Sequence, residues 1–123
     1  MGNSSSFRTG DITTRQIISD KISKPTDLKL HELNSVPSYV YTYTHLVSLC
    51  LHGVFRGGIE KINESIGNLV NLEKLTIRSC DYLQKIPNSI GKLQKLKELE
   101  ITYCALVTLP ESIGELVNLE ILR

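Results

Sequence analysis

From Val36 to Arg123 the chain sets apolar residues at the same offsets four times over. The blocks VPSYVYTYTHL, INESIGNLVNL, IPNSIGKLQKL and LPESIGELVNL open on Val36, Ile62, Ile86 and Leu109, and Val40, Ile66, Ile90 and Ile113 follow four residues later. Tyr43, Leu69, Leu93 and Leu116 fill the next apolar slot, then Leu46, Leu72, Leu96 and Leu119. Val36 to Ile62 is a step of 26 residues, Ile62 to Ile86 of 24, and Ile86 to Leu109 of 23. Units of this size cannot each bury an apolar face alone, so the pattern predicts stacked copies that cover one another.

Between these blocks runs a second pattern, L-x-x-L-x-L, whose last positions alternate with a period of two and predict a short half-buried strand. It reads Leu46, Leu49, Leu51, then Leu72, Leu75, Ile77, then Leu96, Leu99, Ile101, and is cut short at Leu119, Leu122. The I-G-x-L-x-x-L portion has apolar residues three apart, which predicts a short helix or 3-10 segment running back to the next strand. Pro37, Pro87 and Pro110 stand just ahead of it, where a fixed φ and a missing donor help start a helical turn, and Asn63 takes that place in the second unit.

With these motifs the chain resembles the leucine-rich repeat proteins, over roughly residues 28–123. The fully written unit from Leu96 to Asn118, LKELEITYCALVTLPESIGELVN, resembles the 23-residue intracellular subclass found in Ras-associated scaffold proteins and plant cytoplasmic repeat proteins. Cys80 and Cys104 stand where that family usually has asparagine, which resembles the repeats of plant immune receptors, and Val54 and His31 are counted into the same slot of the earlier units. The resemblance implies an α/β solenoid of about four repeats, with a short parallel sheet on its concave face and helical or 3-10 convex segments. Arrays of this kind need about three units for stability. The last unit reaches Arg123 with no amphipathic segment after it to cover Leu119, Ile121 and Leu122, so an open strand edge is expected there, to be covered by a partner, a second copy or further repeats.

The first ten residues, MGNSSSFRTG, are small and polar and contain no apolar core of a secretory signal. They read as a flexible leader. They also match M-G-x-x-x-[ST], which makes Gly2 a myristoylation position with Ser6 completing the motif. One acyl chain holds a protein to a membrane only weakly, and Arg8 and Arg15 add little, so the expected place is cytoplasmic or at the membrane periphery. Residues 11–27 predict an N-terminal helix or cap: Thr13 and Gln16 fit a capping box, Ile18 and Ile22 share a helical face, and Pro25 ends the helix. It would shield Leu28, Leu30 and Leu33.

A net charge of +1 with 22% charged residues gives no basic face with which to neutralise phosphates, and 6% aromatics leave no stacking platform, so nucleic acid is not an expected partner. No apolar run approaches the length of a membrane span. The cysteines at 50, 80 and 104 lack C-x-x-C spacing and join His31, His45 and His52 in no zinc pattern. Cys80 and Cys104 should lie on adjacent rungs within reach of a disulfide, but the expected state is reduced thiols packed in the interior. Gly53, Gly57 and Gly58 lie in the enlarged turn LHGVFRGGIEK, with no G-K-[ST] after them; they predict a sharp turn. His52 near Ser48 and Cys50 lacks a third orienting group. The chain is therefore expected to be no enzyme and to hold no cofactor or metal.

Binding is what remains. Alternation along each strand sends Ser48, Cys50 and His52, then Lys74, Thr76 and Arg78, then Glu98, Glu100 and Thr102, then Ile121 and Arg123 to the concave face. Neighbouring rungs set Lys74 beside Glu98 and Glu100 beside Arg123, either as cross-strand pairs alone or as part of a docking surface for a protein ligand. Arg78, with His52 and Tyr103, is the expected anchor, Tyr82 and Tyr103 the rim, and Phe55 and Arg56 in the enlarged turn a second candidate. The expected role is an adaptor or scaffold module. Its alternatives are a regulatory part of a larger signalling or immune-receptor protein, or a self-associating structural unit.

Overall fold

The computed structural model describes residues 4–8, 26–54 and 57–123, the first of these as backbone alone. Gly2, the expected helix over most of 11–27, and Phe55 with Arg56 lie outside the described residues.

Six strands form one sheet in sequence order: β1 (Ser4–Arg8), β2 (Asp27–Leu33), β3 (Ser48–Gly53), β4 (Lys74–Cys80), β5 (Glu98–Cys104) and β6 (Ile121–Leu122). Every neighbouring pair is parallel. The expected strand motif sets the register: Leu28 pairs with Leu49, Leu49 with Leu75, Leu75 with Leu99 and Leu99 with Leu122. β1 arises within the stretch read as a leader, pairing from Ser4 opposite Asp27 to Arg8 opposite His31, and Asp27 opens a strand rather than closing a cap.

Of the two forms expected for the returning segment, 3-10 is the one found, at Ser38–Thr42, Glu64–Asn68, Asn88–Lys92 and Glu111–Glu115. Five residues between a cap and the next apolar slot leave no room for a helix of several turns. Each segment ends on the third apolar slot, where Tyr43, Leu69, Leu93 and Leu116 donate 3.1 Å bonds to the carbonyls of Val40, Ile66, Ile90 and Ile113. At Tyr43, Leu93 and Leu116 the chain then makes an inverse γ-turn, closed by an N–H two residues on, before Leu46, Leu96 and Leu119 bond back at 3.0 to 3.1 Å. The apolar spacing of three is thus a run of short-range hydrogen bonds.

The prolines at 37, 87 and 110 make no side-chain cap. Asn63 does: its Oδ1 accepts from the Ser65 N–H at 2.9 Å, and its own N–H, which proline would lack, donates to the Tyr41 hydroxyl at 3.1 Å. The departure from proline follows from the tyrosine of the preceding unit.

Leucine and isoleucine from all four slots and from the strands make one continuous core running from Leu28 to Leu99, with Leu116 beyond it. Burial fades in the last unit, where Leu109 is exposed and Ile113 and Leu119 are half-buried, because each unit is covered by the one that follows it. The glycines after Ile66, Ile90 and Ile113 show the same dependence. A Cβ on Gly67 would lie 3.0 Å from the Ser89 carbonyl oxygen, and one on Gly91 would lie 2.8 Å from Ser112 Cβ, whereas one on Gly114 meets nothing within 4 Å.

The three matching glycines should therefore respond differently. Gly91→Ala should cost about 1–3 kcal/mol through overpacking, and Gly114→Ala should leave stability unchanged or raise it by up to about 1 kcal/mol, both read from urea midpoints of the full chain. Asn63→Pro, although it copies the other units, should destabilise by about 1–2 kcal/mol. In a Tyr41→Phe background that loss should shrink, because one of the two bonds is already gone.

Candidate functional site

The face of the sheet opposite the leucines carries the polar residues, and the register stacks them in rows. One row reads Ser48, Lys74, Glu98, Ile121; the next reads Lys29, Cys50, Thr76, Glu100; a third reads His52, Arg78, Thr102. Lys74 Nζ lies 3.5 Å from Glu98 Oε2, as the rung spacing predicts. Glu100, with only 15% of its side chain exposed, sits between two guanidiniums. Arg78 reaches its Oε2 through Nε at 2.8 Å and Nη2 at 2.6 Å, and Arg123 Nη1 approaches its Oε1 at 3.7 Å. This contact with Glu100 also holds the Arg78 proton more firmly than in a free arginine.

These side chains enclose a hollow of about 270 Å³, lined by Lys29, Lys74, Arg78 and Arg123 against Glu98 and Glu100. Cys50 faces it with its thiol pushed up, chiefly by burial. Lys29 has no ion-pair partner among the described residues. At the far end the His31 and His52 rings stand 5.9 Å apart, tilted at 56°.

The residues expected on this face mostly meet there. Lys74, Arg78, Glu98 and Glu100 line the hollow together with Thr76, which is buried between its neighbours. Thr102 is level with Arg78, its hydroxyl buried and without a hydrogen-bond partner among the described residues. His52 is in register with Arg78 and faces His31. Tyr103 is 81% exposed with φ 54°, and Tyr82 is exposed in the turn after β4. Arg78, the expected anchor, is already held by Glu100.

Two residues were not expected on this face. Lys29 and His31 belong to the open face of β2, but this strand lacks the leading leucine of the L-x-x-L-x-L motif, so only the short alternation Leu28, Leu30 marked it. The counting of His31 into the cysteine slot needs correction. Glu32, Ser79 and Tyr103 share a left-handed backbone, with φ 55°, 58° and 54°, and the residues that follow them are Leu33, Cys80 and Cys104. Leu33 fills the slot and is fully buried, whereas His31 points the other way. In the enlarged unit β3 ends on Gly53, where a Cβ would collide with the Ser79 carbonyl, and the turn returns through Gly58, at φ 91°, whose Cβ would lie 3.0 Å from the same oxygen.

A larger hollow, about 710 Å³, crosses the units where the chain leaves the sheet for the 3-10 segments, with Ile62, Tyr82, Ile86 and Leu109 among its walls. Its charged residues are of both signs, and it lies away from the ion-paired rows. Among the described residues no group of three or more histidine, cysteine or acidic side chains could hold a metal ion, and no helix is long and apolar enough to cross a membrane.

No family model matches the chain, and no curated protein matches it. Among solved structures it is similar to a leucine-rich repeat protein of Leptospira interrogans, with a TM-score of 0.74 and 23% identity over 90% of this chain. The chain spans 27% of the length of that protein. The likeness is one of fold: a parallel sheet with short 3-10 returns, as in leucine-rich repeat proteins.

The ion pairs on the open face should differ in strength. In double-mutant cycles on thermal unfolding, the coupling of Arg78 with Glu100 should exceed that of Lys74 with Glu98. The first has two N–H groups on a largely buried carboxylate, and the second is a single exposed contact. Raising the salt should weaken the second more.

Proposed function

We propose that the chain is a protein-interaction module of adaptor or scaffold type, whose open sheet face, the concave face of the expected solenoid, receives a partner segment carrying carboxylates. The observation that carries this reading is the charge of the 270 Å³ hollow: four cations, Lys29, Lys74, Arg78 and Arg123, face two carboxylates, Glu98 and Glu100. The internal ion pairs consume both carboxylates and leave a surplus of positive charge, with Lys29 in no ion pair among the described residues. Such pairs also hold the lysine and arginine side chains in place before a partner arrives, which reduces the ordering that binding must impose.

Partner carboxylates would enter beside Lys29 and Lys74 and compete with Glu98 for the latter, while Glu100 keeps the guanidiniums of Arg78 and Arg123 aimed across the face. Thr76, Thr102 and His52 supply hydrogen-bonding groups between the charges, and Tyr103 a projecting rim. The 23-residue step from Ile86 to Leu109 and the wording L-P-E-S-I-G-E-L support placing the chain in the intracellular subclass. On the same reading Gly2 is an acylation point that would hold this face near a membrane surface.

The reading is tested by selecting from a random displayed peptide library on the immobilised full chain. Selected peptides should be enriched in aspartate and glutamate, and their affinity should fall about tenfold or more between low and near-physiological salt. Lys29→Glu and Lys74→Glu should each weaken them, the first with thermal unfolding unchanged and the second with a loss of up to about 1 kcal/mol from the like charge it sets beside Glu98. Selection of uncharged or apolar peptides, or indifference to both reversals, would refute it.

A further inference from the structure

Below the sheet, away from the proposed docking face, two thiols occupy equivalent places on neighbouring rungs. The left-handed residues Ser79 and Tyr103 turn Cys80 and Cys104 inward, and the register pairs those two cysteines directly, β4 against β5. Each thiol donates to the carbonyl two residues before it, Cys80 to Arg78 and Cys104 to Thr102, both at 3.3 Å. Equal orientation on parallel strands means that the two side chains differ by about one strand spacing, ~4.8 Å, inside the range of Cα separations, about 4.4–6.8 Å, that a disulfide bridges. No side chain can stand between them. They differ in access: Cys80 is fully buried, whereas Cys104 is partly open.

We propose that Cys80 and Cys104 form an oxidisable dithiol, in which Cys104 attacks a hydroperoxide and Cys80 resolves the product into a reversible disulfide between β4 and β5. In the first step the Cys104 thiolate forms an S–O bond to the distal oxygen of hydrogen peroxide. The O–O bond breaks, and the departing hydroxide takes up a proton to leave as water. In the second step Cys80 attacks the sulfenic sulfur, the S–S bond forms, and the hydroxyl leaves as a second water with the Cys80 proton. Peroxide is reduced and two thiols are oxidised, with no other reactant.

The environment of each sulfur suits its part. Once Cys104 is ionised, the Cys80 thiol turns its proton from the Arg78 carbonyl towards it, which lowers Cys104 to about 7, while Cys80 is raised by that same bond and then by burial. An accessible, readily ionised thiol beside a buried protonated one is the arrangement of a peroxide-reactive pair. Cys50 has no second thiol beside it, and burial raises it. Because the two side chains point the same way, their Cβ atoms start farther apart than the ~3.8 Å of a relaxed disulfide. The bond is therefore strained and easily reduced, so the resting state is the dithiol.

The test is stoichiometric hydrogen peroxide on the reduced full chain, followed by intact mass and peptide mapping. A chain lighter by two hydrogen atoms, with the Cys80 and Cys104 peptides joined and separated again by dithiothreitol, is the expected result, and Cys50→Ser should behave identically. Alkylation of Cys104 should be half-maximal near pH 7. Cys80→Ser should stop at a Cys104 sulfenic acid trapped by dimedone, and Cys104→Ser should leave Cys80 unoxidised. Oxidation confined to Cys50, or a Cys104 carried to sulfinic acid with no bridge to Cys80, would overturn the proposal. The mapping of the unmodified chain decides it even if a variant folds poorly.

Discussion

A strand of this protein can bury its leucines only beneath the equivalent residues of the next strand. Everything else depends on that stacking of like on like at one strand spacing, about 4.8 Å. A side chain at any slot must be compatible with its own counterpart one rung away. Leu49, Leu75 and Leu99 satisfy this by matching. Gly67 and Gly91 satisfy it by having no side chain where Ser89 and Ser112 approach. The repeating carbonyl bonds of the 3-10 segments keep each unit the same height, so the match persists along the array.

The same rule governs the polar face. Like charges in one row would repel at close range, and opposite charges meet instead, Lys74 beside Glu98 within one row and Arg78 reaching across from its own row to Glu100, which Arg123 approaches from the other side. Polar side chains also tie units together at the edge. Asn71 donates to the Thr44 carbonyl, Asn118 to that of Gln94, and Lys95 to the Asn71 side chain. Where two cysteines recur at a slot, like on like brings thiol to thiol. The polar rows and the paired cysteines thus lie on opposite faces of one sheet, the cysteines on the same side as the leucines.

Some of this was legible residue by residue. The leucine spacing gave strand register and the ion pairs Lys74 with Glu98 and Glu100 with Arg123, because a repeat fixes which residues become neighbours. It did not separate helix from 3-10, since an apolar spacing of three suits both and only the five-residue length of the segments excludes longer turns. His31 was miscounted for Leu33 because the left-handed residue Glu32 inverts the alternation, and a glutamate gives no sign of a positive φ. β1 was invisible: five residues of SSSFR carry no alternating apolar pattern, and the strand exists by pairing with β2.

By itself the sequence determined the repeating unit, the buried slots and the order of polar residues along each rung, because these are periodic properties of one chain with itself. The tertiary structure alone decided which side chains are engaged. It closed Arg78 onto Glu100 and left Lys29 without an ion pair among the described residues, and it seated Cys104 nearer solvent than Cys80. It also set Gly91 against Ser112 and left Gly114 in open space within the same motif. Those differences come from what lies one rung away, and a repeat that looks uniform in sequence has a different neighbour at every step.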